Sequence, residues 1–484
     1  MRPAELVKIS DYIWELPTNF KTGMRVPARI YASEKLVNEM DNGVFEQISN
    51  VAMFPGIVNH ALCMPDAHWG YGFPIGGVAA IDPEEGVISP GGIGFDINCG
   101  MRAVSTNLTL DDITPHLKRL VDQLFLLVPA GVGAHGNLHL SRKQFDEIAV
   151  DGALWCLRNG YAWNEDLERT EEFGKIKGAD IATVSERAIE RGFNQIGTLG
   201  SGNHFLEIQI AQPDNIFDSA TAKAFGINIP NQVIIMFHCG SRGFGHQIAT
   251  DYLQLFLNVM GPKYKITMPD RELACAPFNS TEGQRYFSAM KCAVNMSFAN
   301  RQMILHQIRK AFSEVFGRSP EDLGMHQIYD ITHNTAKIET HKVNGKTRHL
   351  LIHRKGSTRA FGPHSEGLPD IYKNTGQPII IGGSMESGSY LLTGVATGNQ
   401  TFFSTTHGSG RTMSRSKARH VFYGKELQQT MAKRGIVTRT ASFSGFAEEA
   451  GAAYKNIDDV VDAAEKSGTC RRIVRLVPVG NVKG

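Results

Sequence analysis

The chain has 484 residues, with 50 Lys and Arg against 48 Asp and Glu, a formal net charge of +2. Hydrophobic residues make up 42% and charged residues 20%, which fits an ordinary soluble globular protein; with so even a balance, any nucleic-acid surface must be a local basic patch. The seven cysteines, Cys63, Cys99, Cys156, Cys239, Cys275, Cys292 and Cys470, lack framework spacing, and no leader or membrane-length apolar run is visible, so the expectation is a cytoplasmic protein with no disulfide scaffold and no membrane contact.

In chain order, residues 1–60 carry no strong motif. Residues 61–105 alternate short apolar strands, 78–81 and 87–88, with Gly/Pro turns. Residues 110–196 read as mainly helical. Within them the pattern predicts an amphipathic helix over 181–191 that Gly192 stops. A Gly-rich loop, GTLGSGNHFLE, follows at 197–207. The apolar run 233–237 predicts a buried strand ending at His238. The clearest helix spans 295–317, where Leu305, Ile308, Phe312 and Val315 share one face. Strands at 350–353 and 378–381 each run into a polar or Gly-rich loop. The last hundred residues read as loop-rich, with a basic stretch and the ending PVGNVKG.

This irregular alternation excludes a regular wound βαβ fold. It predicts an α+β architecture over 1–484 as one large domain, with a β-rich core, surrounding helices and a deep cleft. Fifty glycines exceed the usual share of roughly 7% and cluster beside polar residues. Such blocks suit a site built from loops, because glycine lets backbone approach a ligand closely.

Four stretches place metal-type ligands beside glycines: GFDINCG with Asp96 and Cys99, GSGNH with His204, FHCGSRG with His238, and DITHNTAK with His333. Carboxylate, thiolate and imidazole suit a divalent transition metal, and a thiolate can bridge a pair of ions. The spacing alone equally allows a turn-capping Asp96, a buried Cys99 and scattered histidines. A fifth stretch, STTHGSGRTMSR, sets His407 before a loop that can hold phosphate, with Arg411 and Arg415 after it. The residues leave open whether His407 is a base, a metal ligand or a nucleophile. MPDAHWGYGFPIGG adds His68 and Asp66, an aspartate that either orients a catalytic histidine or shapes a turn.

Together MPDAHWGYGFPIGG, GGIGFDINCGMR, GSGNHFLE, HCGSRGFGHQ, THNTAK, HRKGSTRAF, GGSM, HGSGR, EEAGAAYKNID and the terminal KG resemble the RtcB family of RNA-splicing ligases over about residues 60–484. The resemblance implies an enzyme that joins RNA ending in a 2′,3′-cyclic phosphate or 3′-phosphate to RNA beginning with a 5′-hydroxyl. It implies GTP and two Mn²⁺ ions, with tRNA exon halves or broken RNA as substrate and an archease as activator. His407 matches the guanylated histidine and Asp66 the carboxylate that orients it. Asp96, Cys99, His204, His238 and His333 match the metal ligands, Cys99 bridging. The guanylate-binding set it implies is Asn203, His204, Phe205, Leu206, Glu207, His333, Asn334, Gly382, Gly383, Ser384, Met385, Ser389, Tyr454, Lys483 and the loop His407, Gly408, Ser409, Gly410.

Two positions depart from the family's usual forms: Cys239 stands where a hydroxyl residue is common, and Trp69 where a polar one is. Candidate RNA contacts are Arg354, Lys355, Arg359, Arg411, Arg415, Lys417 and Arg419. Two other functions compete: a dimetal phosphoesterase that hydrolyses RNA ends without joining them, and an RNA-binding protein with an inactive site.

Overall fold

The computed structural model describes residues 2–484 and is of the α+β class. Helices relevant here are α1 (Asn42–Val51), α2 (Glu186–Gly192), α3 (Thr281–Phe316) and α4 (Arg415–Val421). The main strands, in chain order, are β1 (Val7–Ser10), β2 (Ile13–Leu16), β3 (Ala28–Tyr31), β4 (Ile57–His68), β5 (Ile75–Ile81), β6 (Gly100–Thr109), β7 (Phe205–Ile216) and β8 (Gln232–Cys239). They continue as β9 (Gln327–Thr332), β10 (Asn334–Val343), β11 (Lys346–Lys355), β12 (Ser357–Arg359), β13 (Pro378–Ile381), β14 (Ser389–Gly394), β15 (Ser404–Thr406), β16 (Val437–Thr440) and β17 (Cys470–Lys483).

One sheet runs β1-β2-β3-β4-β5-β11-β10. A second runs β9-β6-β8-β7-β17-β14-β13, and β16 joins β17 in parallel. The ribbon β12–β15 pairs Ser357 with Thr406. The expected strands fall within β5, β8, β11 and β13, while Val87–Ile88 pairs with Ala276–Pro277. The expectation of a loop-rich final stretch is corrected: β17 has 14 residues and lies between β7 and β14. Its arginines hid it, because strict apolar alternation is broken wherever an edge of the face reaches water.

Two helices also differ from expectation. Ser185 caps α2 by accepting from the Ala188 N–H, so the helix starts there, and Ile181–Thr183 forms a separate turn capped by Asp180. Helix α3 begins at Thr281 rather than near 295 and runs 36 residues, from the Ser280 cap to Gly317 in the left-handed conformation (φ 65°). It is buried around most of its circumference, and its buried faces include Asn295, Asn300, Arg301 and Gln302. Interior polar residues with partners mask the amphipathic period.

Those polar residues build a layer behind the strand ends. Asp330 of β9 accepts from Arg102 Nε at 2.7 Å and from Arg301 Nε and Nη2 at 2.8 Å. Arg301 Nη1 also donates to the carbonyls of Asn98 and Cys239, at 2.7 and 2.9 Å. All three side chains of the ion cluster are fully buried. The cluster ties α3 to the backbone on either side of the site. No helix among the described residues is long and apolar enough to cross a membrane.

Candidate active site

The register of the second sheet brings four distant segments to one edge. Gly100 pairs with Cys239 and with Thr332, Met101 with His238, and Phe205 with His238. Cys99 immediately precedes β6, His204 precedes β7, His238 lies at the end of β8, and His333 follows β9. Asp96 comes from the loop before β6. That loop turns at Asn98, whose φ of 58° places it in the left-handed region that Asn tolerates. Asn334 holds the same loop, donating to the Asp96 carbonyl at 3.0 Å.

The five side chains form two groups that share Cys99: Asp96–Cys99–His204 and Cys99–His238–His333. Cys99 Sγ lies 3.4 Å from His204 Nε2 and 3.1 Å from His238 Nε2. His238 Nε2 is 3.1 Å from His333 Nε2, and His204 Nε2 is 2.9 Å from Asp96 Oδ2. The rings of His204 and His238 are aimed from behind, with Nδ1 at 2.8 Å from the Leu199 carbonyl and 3.1 Å from the Asn203 carbonyl. A carbonyl can only accept, so each Nδ1 carries a hydrogen and each Nε2 is turned toward the shared thiol.

Burial, with His204 and His407 nearby, holds His238 and His333 far below the usual imidazole range, so both are neutral. Burial pushes the Cys99 thiol up to about 12, so a thiolate forms there only beside a cation. Burial disfavours a charged His204, but Cys239, Cys99 and Asp96 outweigh it and raise its pKa. The pocket thus attracts positive charge while offering converging lone pairs, which is the donor set a pair of divalent transition metals fits. Cys239 lies behind His204, with Sγ against the carbonyls of Thr198 and Leu199 and the Asn300 amide. It is a small buried residue of the supporting layer.

The β12–β15 ribbon delivers His407, and the end of β4 delivers Asp66. His407 Nδ1 lies 2.6 Å from Asp66 Oδ2, and the same oxygen accepts from the N–H groups of His407 and Gly408 at 3.1 and 3.3 Å. Burial opposes ionisation of Asp66, yet its contacts with His407 hold the carboxyl below the usual range. An ionised Asp66 accepts, so Nδ1 donates and Nε2 is left free. The His407 and His333 ring centroids are 4.7 Å apart, which puts this ring beside the metal-type cluster. Gly410 has a φ of +73°, and a Cβ there would stand 2.1 Å from the Asp66 carbonyl oxygen. Only glycine lets the two loops close this tightly.

A cavity of about 790 Å³ opens over both groups. Of the expected guanylate set, Asn203, Phe205, His333, Asn334, Gly382, Gly383, Ser384, Met385, His407, Gly408, Ser409, Gly410, Tyr454 and Lys483 line it. Leu206 does not: it packs on the opposite face of β7 in the hydrophobic core, so only its backbone is near. Strand alternation carries that information, since 205 and 207 share a face and 206 does not. Glu207 and Ser389 lie beneath the lining, joined through Gln209, whose Nε2 donates to both. Asn481 Nδ2 donates to Glu207 at 2.8 Å, and burial raises the Glu207 carboxyl to about 7.

The basic candidates divide. Arg354 and Arg359, expected at an RNA surface, are buried ion-pair members instead. Arg354 donates to Glu339 at 2.5 and 2.9 Å, and Arg359 to Glu172 at 2.8 Å. Removing Arg354 strands Glu339 in the interior. Arg354→Ala is therefore expected to lower unfolding free energy by about 3–5 kcal/mol, read by urea denaturation; unchanged stability would return Arg354 to the candidate RNA contacts. Arg411 is half-buried and committed to Glu449 at 3.1 Å and the Tyr454 hydroxyl at 3.0 Å. Arg415, Lys417 and Arg419 on α4 are exposed, and Arg415 lines the cavity.

Two buried lysines also line it. Lys355 donates to the Tyr71 carbonyl at 2.6 Å, and burial lowers its pKa to about 7. Lys455 was given no role by the sequence, though it follows Tyr454 in EEAGAAYKNID. It donates to the carbonyls of Pro65 and Ala67, at 3.2 and 2.6 Å, and so clamps the segment that carries Asp66.

A family profile described as tRNA-splicing ligase RtcB matches residues 47–484. A tRNA-splicing ligase RtcB of Archaeoglobus fulgidus is 50% identical over 480 residues, covering 99% of each chain. One of Thermococcus kodakarensis is 48% identical over 481 residues, again covering 99% of each. An RNA-splicing ligase RtcB homolog 1 of Entamoeba dispar is 45% identical over 485 residues, covering 97% of this chain and 89% of that one.

Proposed function

The chain belongs to the RtcB family of tRNA-splicing ligases, and on that premise we propose that it joins 2′,3′-cyclic phosphate or 3′-phosphate RNA ends to 5′-hydroxyl ends through a guanylated His407. The observation that carries this reading is the free Nε2 of His407, with Nδ1 fixed on Asp66 and the ring beside His333 inside the large cavity. A hydrolase would need the metal ligands but not this pair.

Asp96, Cys99 and His204 would hold one manganese ion and Cys99, His238 and His333 a second; bound there, the ions would offset charge building on phosphate oxygens. His407 Nε2 attacks the α-phosphorus of GTP, a P–N bond forms and pyrophosphate leaves. Asp66 keeps the Nδ1 hydrogen and stabilises the positive ring. An RNA 3′-phosphate oxygen then takes the guanylate, the P–N bond breaks and His407 is restored; a cyclic end is first opened by water. Finally the 5′-hydroxyl oxygen attacks the 3′-phosphorus, loses its proton, and GMP departs.

Guanine is assigned to the floor near Phe205 and Lys483. The Lys483 ammonium stands 5.7 Å over the Phe205 ring, and Glu207 lies behind as an acceptor for guanine N1 and N2 hydrogens, which adenine does not offer in that pattern. RNA and an archease-type activator are the partners of this reading. A reducing cytoplasm suits the seven buried free cysteines.

The test is incubation with α-labelled GTP and Mn²⁺ followed by denaturation. Label should stay on the chain and leave when 3′-phosphate RNA is added. Folded, metal-loaded protein that takes no label, with or without an archease, would favour the phosphoesterase or the RNA-binding protein.

A further inference from the structure

Trp69 is 62% exposed, and it lines the same cavity as His407. The indole is not loose. Its benzenoid ring rests on Gly43 in the first turn of α1, where a Cβ would fall 1.9 Å from Cε3 and 2.1 Å from Cζ3. Missing that Cβ, the helix gives the ring a flat seat on one face while most of the residue stays in solvent. Of the other tryptophans, Trp14 and Trp155 are buried, and Trp163 is covered by the Arg309 guanidinium at 3.4 Å.

A fixed, solvent-facing aromatic ring binds little in a monomer's own fold, and it loses little side-chain entropy on binding. What reaches it is set by the cavity. Trp69 follows Asp66 by three residues, so the ring and His407 share one cavity wall through the segment that carries Asp66. Tyr71 and Phe95 continue the aromatic lining, their centroids 5.0 Å apart, and the exposed His246 stacks on Phe95 at 5.0 Å. Charge is divided along the same lining. The exposed carboxylates Glu39 and Asp41 adjoin the Trp69 seat, and the exposed Arg415 lies elsewhere on the wall. Carboxylates repel phosphate but accept from base amino groups and ribose hydroxyls; the guanidinium attracts the backbone. That division fits an unpaired nucleotide with its base on the indole and its phosphates turned toward the arginine.

We propose that Trp69 is a stacking platform for an unpaired nucleobase of the RNA strand next to the ends being joined. The proposal rests on the ligase reading and adds a base-binding position to it.

The experiment titrates metal-loaded, full-length protein with a short single-stranded RNA bearing a 3′-phosphate, following tryptophan fluorescence. Stacking should quench emission saturably in the wild type. Trp69→Ala should remove the quench and weaken binding, by anisotropy of labelled RNA, about tenfold. Trp69→Phe should recover most of that affinity. Gly43→Ala, which unseats the ring without removing it, should weaken binding in the same direction. Labelling by α-labelled GTP is run on each preparation and separates the two readings. Wild type that takes label but shows no quench, or a labelled Trp69→Ala variant that binds RNA as the wild type does, overturns the platform and leaves the ring to a protein partner. Wild type that takes no label counts against the ligase reading, whatever the quench.

Discussion

His407→Ala is expected to abolish covalent labelling by α-labelled GTP and to lower RNA joining by on the order of 10³-fold or more. In the proposed mechanism the imidazole supplies the nucleophilic nitrogen, and no other ring lining the cavity has its Nδ1 held by a carboxylate. His333 and His238 face the shared thiol at Cys99, and the His68 Nδ1 lies 3.0 Å from the Asp66 carbonyl. Asp66→Asn gives a sharper result, because it leaves His407 in place. An amide that donates to Nδ1 forces the ring hydrogen onto Nε2 and hides the lone pair that attacks phosphorus. Loss of labelling on the order of 10⁴-fold is expected from the wrong tautomer. Intact-protein mass after incubation with GTP reads both variants, with thermal unfolding as the check on folding. Label at wild-type level in His407→Ala would remove this residue as the nucleophile.

Cys99→Ala is expected to empty both proposed metal positions, and His204→Ala one. The reason is the shared Sγ: both groups of candidate ligands close on it. Elemental analysis after equilibration with Mn²⁺ is expected to find two ions per wild-type chain, close to none in Cys99→Ala and about one in His204→Ala. Loss of a direct ligand should exceed the roughly 10–100-fold loss of affinity seen when only a supporting contact is removed. Joining activity should disappear with the ions, and a chelator should do the same to the wild type. Two ions retained by Cys99→Ala would show that the thiol does not bridge.

Much of the candidate site was legible in short stretches. GFDINCG, GSGNH, FHCGSRG and DITHNTAK each place a ligand type where a strand meets a loop, and the structure puts each at such a junction. Glycine and asparagine marked the tight turns, among them Asn98 and Gly410. Burial was less legible. Arg354 and Arg359 look like a basic surface in sequence, yet Glu339, Glu171 and Glu172 neutralise them in the interior. The length of α3 was hidden for the same reason: a buried arginine with an aspartate partner reads as a polar interruption.

By itself the sequence determined the residue types, the order of the motifs and the family resemblance, because these are local and survive any arrangement of the chain. The tertiary structure alone decided which residues meet. Cys99, His204, His238 and His333 converge through the register of β6, β7, β8 and β9, and Asp66 reaches His407 across 341 positions of chain. Strand register is set by backbone hydrogen bonds and by which face is buried, and both depend on partners far away in sequence. The same non-local packing decided that Leu206 faces the core, that Lys455 clamps the Asp66 segment, and that Gly43 seats Trp69.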